Sequence, residues 1–249
     1  MYQFFVPPGN IQGNRVVISG EDVNHIKNVL RMRVGEEISV SNGQDDKEYR
    51  CGILDLGEEI VCELRFIKED GVELPSKITL FQGLPKADKM ELIIQKAVEL
   101  GVYEVVPVAM KRCVVKLDEK KQKSKISRWQ SIAEAAAKQS KRGIIPQISS
   151  VMSFKQALSY AGEMDIVIVP YEMAEDMPKT REIIEAIKPG QRIGFFIGPE
   201  GGFDETEVEE ALKGGAVPIT LGRRILRTET AGLTVLSILM YHLEGKGIE

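Results

Sequence analysis

Metal-ligating side chains are scarce in this sequence. It has two histidines, His25 and His242, and three scattered cysteines, Cys51, Cys62 and Cys113, with no CxxC pair. A zinc site needs three or four such ligands brought together, so no metal centre is expected. An odd number of distant thiols suits a reducing compartment. Long apolar runs are also missing. The longest apolar-rich segment, Ala231–Leu243, falls short of the roughly 20 residues that span a bilayer and reads as a core helix. The first ten residues, MYQFFVPPGN, lack a basic stretch leading into an apolar one, so no signal peptide is expected. These absences predict a cytoplasmic protein with no metal and no membrane contact. The common nucleotide motifs are absent as well: there is no GxxxxGK[ST], and no GxGxxG follows a strand.

The 249 residues are 43% apolar, enough for one large or two small cores. A net charge of −4 argues against a nucleic-acid partner, but the distribution of charge does not. Between Lys111 and Arg142 stand eleven lysines and arginines against three acids, Asp118, Glu119 and Glu134. Such a stretch is either a solvated helical face or a patch that holds several phosphates.

The first 70 residues are rich in strand-like runs: Tyr2–Val6, Arg15–Ile18, Glu37–Ser41, Lys47–Leu56 and Glu59–Ile67. One helix interrupts them, with Ser19 as N-cap and Asp22 at the capping-box position, and Val23, Ile26 and Leu30 on one face. A small barrel carrying one helix is expected over 1–70, followed by a linker at 71–76. From Lys77 to Glu249 strands and helices alternate. Strands are expected at Ile78–Gln82, Tyr103–Val108, Gln147–Ser150, Asp165–Pro170, Arg192–Ile197 and Val217–Leu221. Helices fall near Asp88–Leu100, Ser124–Lys141, Phe154–Ala161, Pro178–Ile187, Asp204–Lys213 and Thr228–Leu243. This rhythm implies an α/β domain with a parallel sheet covered on both faces. Trp129, in register with Ile126 and Ile132, reads as helix core more readily than as a platform for a base.

Two loops at strand ends stand out. Phe195–Glu207 reads FFIGPEGGFDETE, in which an apolar strand stops at Gly198 and Asp204 with Glu207 forms a capping box for the next helix. Ligands of parallel sheets bind beyond the carboxyl ends of strands, and glycines let backbone approach a ligand. The plainer alternative is a tight strand-to-helix turn. Leu221–Ala231 reads LGRRILRTETA, with Ile225 and Leu226 set among three arginines. The two residues either close an apolar slot or pack the start of the last helix.

Together these two loops resemble the signature of the SPOUT methyltransferases, and among them the RsmE family, which methylates N3 of a uridine in small-subunit ribosomal RNA. HIKNVLRMRVGE (His25–Glu36), QGLPKADKMELIIQKAVELGV (Gln82–Val102), RCVVK (Arg112–Lys116) and RWQSIAEAAAKQSKR (Arg128–Arg142) extend the resemblance along nearly the whole chain. It implies a PUA-like RNA-binding barrel followed by a trefoil-knotted α/β domain, a homodimer, 16S rRNA in the small ribosomal subunit as partner, and S-adenosylmethionine as methyl donor.

Carried onto this sequence, the resemblance implies that Tyr171, Ile197, Gly198, Gly201, Gly202, Leu221, Gly222, Ile225, Leu226 and Thr228 hold the cofactor. Arg227 would stabilise charge spreading onto the uracil oxygens, and Glu229 or Glu200 would take the N3 proton. RNA would be gripped by Lys27, Arg31 and Arg33 on the barrel and by Arg112, Arg128, Lys138 and Arg142. Two departures are visible: Gln3 stands where the family commonly has arginine, and Ala135, next to Glu134, where many members have glutamate. Two alternatives remain open, a non-catalytic RNA-binding factor and a methyltransferase acting on a ribose 2′-hydroxyl.

Overall fold

The structure, a computed structural model, describes residues 1–69, 71–171 and 176–244. The chain divides into two compact units: Met1–Glu73 with Ala137–Ile145, and Leu74–Ala136 with the chain from Pro146 onward. The first boundary falls within the 71–76 segment expected as a linker. The segment 137–145 departs from the sequence expectation, which gives it to the second domain. Long-range polar contacts hold it in the first unit: Ile145 N–H donates to Gly43 O at 3.0 Å, and Gln3 Nε2 donates to Arg142 O at 2.9 Å.

The first unit is built on β1 (Gln3–Phe5), β2 (Ile11–Gln12), β3 (Arg15–Ile18), β4 (Glu37–Ser41), β5 (Glu48–Leu56) and β6 (Ile60–Lys68). They form one sheet in the order β1-β4-β5-β6-β3-β2. Only β1 and β4 run parallel, and register shifts interrupt the long β5–β6 ladder. No pairing among the described residues joins β1 to β2, so the expected barrel is a partial one. Alternation along the strands buries Val16, Ile18, Ile38, Val40, Cys51, Ile53, Ile60 and Cys62 on one face. Burial pushes the thiols of Cys51 and Cys62 up to about 11 and about 12.

α1 (Glu21–Asn24) continues directly into a π-helical turn over His25–Val29. Its N-cap is Gly20, at φ 75°, with no side-chain cap, so the expected Ser19 cap and Asp22 capping box are not formed. Asp22 instead receives Lys138 Nζ at 2.9 Å. The helix face is as expected: Ile26 is fully buried, with Val23 and Leu30 packed beside it.

The second unit carries β7 (Lys77–Gly83), α2 (Lys89–Glu99), β8 (Glu104–Ala109), α3 (Glu119–Gln139), β9 (Gln147–Ile148), β10 (Met152–Ser153), α4 (Phe154–Ala161), β11 (Ile166–Pro170), α5 (Met177–Ala186), β12 (Arg192–Ile197), α6 (Glu205–Lys213), β13 (Val217–Ile219) and α7 (Thr228–Glu244). The last residues of α3 belong to the first unit. The strands form a sheet in the order β10-β8-β7-β12-β11-β13, with β9 also on β8, and every pairing is parallel. Central strands covered on both faces need continuous apolar runs. Accordingly Ile78, Leu80 and Phe81 of β7, Val105, Val106 and Val108 of β8, and Ile193, Phe195 and Phe196 of β12 are fully buried. Phe81 stacks on Phe196 with ring centroids 4.4 Å apart. α3 begins five residues before the expected Ser124, and its Trp129 is 3% exposed, buried like Ala133 and Ala136.

Candidate functional site

The two motif loops leave the carboxyl ends of β12 and β13, and β11 lies between those strands. They therefore do not sit at neighbouring strand tips, as two loops forming one slot would suggest. The chain brings them together by a different route. After the second loop α7 begins at Thr228, which is buried, and its Oγ1 donates to the carbonyl of Gly198 at 2.7 Å. Beneath that contact Gln82, near the end of β7, donates from Nε2 to Thr228 Oγ1 at 2.9 Å and to Gly83 O at 3.0 Å.

The glycine turn is braced from several sides. A methyl group on Gly83 would lie 2.8 Å from Pro199 N and Cδ and 2.9 Å from Met110 Sδ, so β7 meets the turn at backbone distance. A methyl on Gly198 would lie 3.0 Å from the Gly202 carbonyl carbon. Arg112 Nη1 donates to Gly201 O at 3.2 Å. The capping box of Asp204 and Glu207 starts α6 as the sequence predicts, and Lys111 N–H adds a bond to Glu207 at 2.8 Å.

Charge concentrates at the start of α2. Glu200 accepts from Lys86 N–H at 3.0 Å, and Lys89 Nζ lies 3.1 Å from Glu200 Oε1 and 3.2 Å from Glu229 Oε2. Burial works against the charge on Glu200, but hydrogen bonds from its own amide and from Lys86, together with Lys89, outweigh it and hold the carboxyl below its ordinary range. In turn, hydrogen bonding to Glu200 pushes the Lys89 ammonium up. Glu200 is thus committed to fixing its own turn, which fits an anchor better than a proton acceptor. Glu229 Oε2 is buried and has no hydrogen-bond partner beyond the Lys89 ion pair among the described residues.

The expected cofactor residues are placed unevenly. Gly202 and Gly222 adopt φ 67° and 101°, and a methyl on either would meet nothing within 4 Å, so open backbone faces outward at both loops. That open glycine backbone fits a nucleoside held by main-chain groups. Ile197 is buried, Leu221 and Leu226 are half-buried, and Tyr171, half-buried at the tip of β11, donates its N–H to Ile219 O at 3.0 Å. Ile225 is 82% exposed, so the apolar slot expected from it is not closed within this chain. Arg227 is exposed beside it.

Of the expected RNA contacts, Lys27, Arg31, Arg33, Arg112 and Arg128 are exposed and Lys138 is half-buried. Arg128 pairs with Glu91 at 2.8 Å. Arg142 is corrected by the structure. It is 3% exposed and its guanidinium is paired with Glu73, with Nε 3.1 Å from both carboxylate oxygens, so it is not open to a phosphate. Gln3, the first departure, is spent on Ser41 Oγ and Arg142 O. Lys89 and Gln82 escape the sequence reading. The one available signal for Gln82 is a carboxamide inside an otherwise apolar strand.

Residues 72–240 match the RNA methyltransferase domain family and residues 18–73 the RNA methyltransferase PUA domain family. Fold and site together thus define an RNA methyltransferase joined to a PUA-type domain. The ribosomal RNA small subunit methyltransferase E of Bacillus subtilis (strain 168) is 40% identical over 231 residues, covering 91% of this chain and 90% of that protein. The crystal structure of the same enzyme from Neisseria gonorrhoeae bound to S-adenosyl methionine superposes with a TM-score of 0.82 at 31% identity, covering 97% of each chain. A Legionella pneumophila protein with bound cofactor S-adenosylmethionine gives 0.81 at 31% identity over 96% of each. The chain belongs to the ribosomal RNA small subunit methyltransferase E family.

Proposed function

We propose that this chain transfers a methyl group from S-adenosylmethionine to N3 of a uridine in small-subunit (16S) ribosomal RNA, holding the cofactor across the loops that follow β12 and β13. The observation that carries the site is the Thr228–Gly198 hydrogen bond, which makes one surface of two loops from separated strands. Gly198, Gly201 and Gly202 on one side and Leu221, Gly222, Leu226 and Thr228 on the other present main-chain groups to the nucleoside, with Tyr171 between them.

When bound, S-adenosylmethionine supplies an electrophilic methyl carbon on its sulfonium, so that the N–C bond forms as the S–C bond breaks and sulfur keeps the electron pair. The residues must orient the acceptor and remove the N3 proton, which alignment and charge placement assist. Arg227, exposed where the second loop meets α7, faces negative charge on the uracil oxygens. Glu229, at the head of α7 and held by the Lys89 ion pair, takes the proton. Glu200 anchors its turn.

The exposed cations Lys27, Arg31 and Arg33 of the PUA unit, and Arg112 and Arg128 of the methyltransferase unit, hold phosphates and position the RNA. Ile225 and Tyr241, each 82% exposed, with Ile238 at 38%, support a homodimer in which a second copy covers the α7 surface. The trefoil knot of the second domain rests on membership of the family. Such a substrate places the work in the cytoplasm. Among the described residues no helix is long and apolar enough to cross a membrane.

The test is incubation of small ribosomal subunits from cells lacking this protein with labelled cofactor, followed by mass spectrometry of the digested RNA. Label on N3 of uridine supports the reading. Label on a ribose oxygen, or none, refutes it.

A further inference from the structure

Gln82 is the polar exception in the most buried part of the molecule. It lies on β7, between β8 and β12, is 0% exposed, and follows Leu80 and Phe81, which are as deeply buried. Its amide orientation is set by its neighbours. Thr228 Oγ1 spends its single proton on Gly198 O at 2.7 Å, so toward Gln82 it can only accept, and the Gly83 carbonyl likewise only accepts. Both partners therefore require the NH2 group, which faces them at 2.9 and 3.0 Å. Oε1 is left buried without a hydrogen-bond partner among the described residues, 3.8 Å from where a methyl on Gly232 of α7 would sit.

A buried acceptor without a partner costs stability and offsets what the two bonds donated by Nε2 contribute, so the carboxamide adds little net stability. The carboxamide therefore serves something other than stability. Its donor chain runs from β7 through the first residue of α7 to the first residue of the glycine turn. These are the two loops that the cofactor reading joins.

We infer that Gln82 is a positioning residue: its carboxamide, acting through the Thr228 hydroxyl, fixes the Gly198 carbonyl and the spacing of the two loops that bind S-adenosylmethionine. This rests on the cofactor reading above. Donation from beneath occupies one lone pair of Thr228 Oγ1 and bars its proton from that side, favouring the orientation that donates to the turn.

The inference is tested by calorimetric titration of the full-length protein with S-adenosylmethionine, with the melting temperature of each ligand-free variant as companion. Gln82→Met should bind about tenfold more weakly while melting near the wild-type temperature, and Thr228→Val should show the same loss of affinity. Thr228→Ser, which keeps the hydroxyl, should bind within about twofold of wild type, and the double variant should bind no worse than either single one. KM for the cofactor should rise with Kd, leaving kcat at saturation nearly unchanged. Wild-type affinity in Gln82→Met, or losses that multiply in the double variant, would overturn the inference. A fall in melting temperature that accounts for the weaker binding would do the same. No binding by the wild-type protein would sink the cofactor reading itself, and this inference with it.

Discussion

Lys89 Nζ stands 3.1 Å from Glu200 Oε1, tying the first residue of α2 to the glycine turn that follows β12. The same ammonium reaches Glu229 at the head of α7, so one cation spans both motif loops. A loop held by its own carboxylate, by a neighbouring amide and by a lysine is preorganised before any ligand arrives, which lowers the ordering cost of binding.

That arrangement gives a pH prediction. The folded carboxyl of Glu200 lies below its ordinary value of 4.5, so its stabilising contribution is complete above about pH 4.5 and is lost as pH falls through the folded value. Glu200→Gln should melt below wild type at neutral pH, and the gap should close as the solution is acidified past that point. Thermal melts of both proteins across the acid range check this. A gap independent of pH would show that the charge is not what matters.

Gly83 offers a steric test. Its missing side chain leaves room for Pro199 N at 2.8 Å and Met110 Sδ at 2.9 Å, one a backbone atom that cannot step aside. Gly83→Ala should cost about 1–3 kcal/mol and weaken cofactor binding by displacing the turn. Denaturant unfolding and a cofactor titration measure the two effects separately.

If Arg227, which is exposed, stabilises the charge that develops on the uracil as proposed, it should matter to turnover and little to cofactor affinity. Arg227→Ala should lower kcat by about 100-fold or more, with Kd for S-adenosylmethionine nearly unchanged. Single-turnover kinetics on small subunits would reveal it, and normal turnover would remove the assignment.

The Arg142–Glu73 pair should act on stability. The two side chains are 4% and 10% exposed, and Glu73 also receives Ile144 N–H at 3.1 Å. Glu73→Ala removes one carboxylate partner of the buried guanidinium and should lower stability by about 3 kcal/mol. Replacement of Arg112 or Arg128, both exposed, should leave the melting temperature nearly unchanged.

RNA affinity should fall steeply with salt. If the five exposed candidates, Lys27, Arg31, Arg33, Arg112 and Arg128, each displace a counterion, the slope of log K against log salt on single-stranded RNA is about −3.5, and Arg31→Ala should make it shallower by about 0.7. Filter binding over a salt series reads the slope directly, and a flat response rules out the phosphate contacts.

Much of the fold was legible because it is local. Buried parallel strands need unbroken apolar runs, and Ile78–Phe81, Val105–Val108 and Ile193–Ile197 supply them. Asp204 and Glu207 form their capping box within four residues, and Trp129 meets its core partners along one helix face. The cap of the first helix was not legible, because a glycine at positive φ starts it and Asp22 is claimed by Lys138, 116 residues away in sequence. Arg142 looked like one more surface cation, since nothing nearby in sequence announces Glu73.

The sequence by itself determined the periodicity of the strands and helices, the glycine turn, its cap and the family signature, because each depends on residues a few positions apart. Only the tertiary structure decided that β11 separates the two motif loops, that Thr228 closes the gap to Gly198, and that Gln82 and Lys89 brace them. Those facts depend on strand order and on the return of α7, set by contacts between residues from 30 to 146 positions apart, and no local pattern of side chains encodes them.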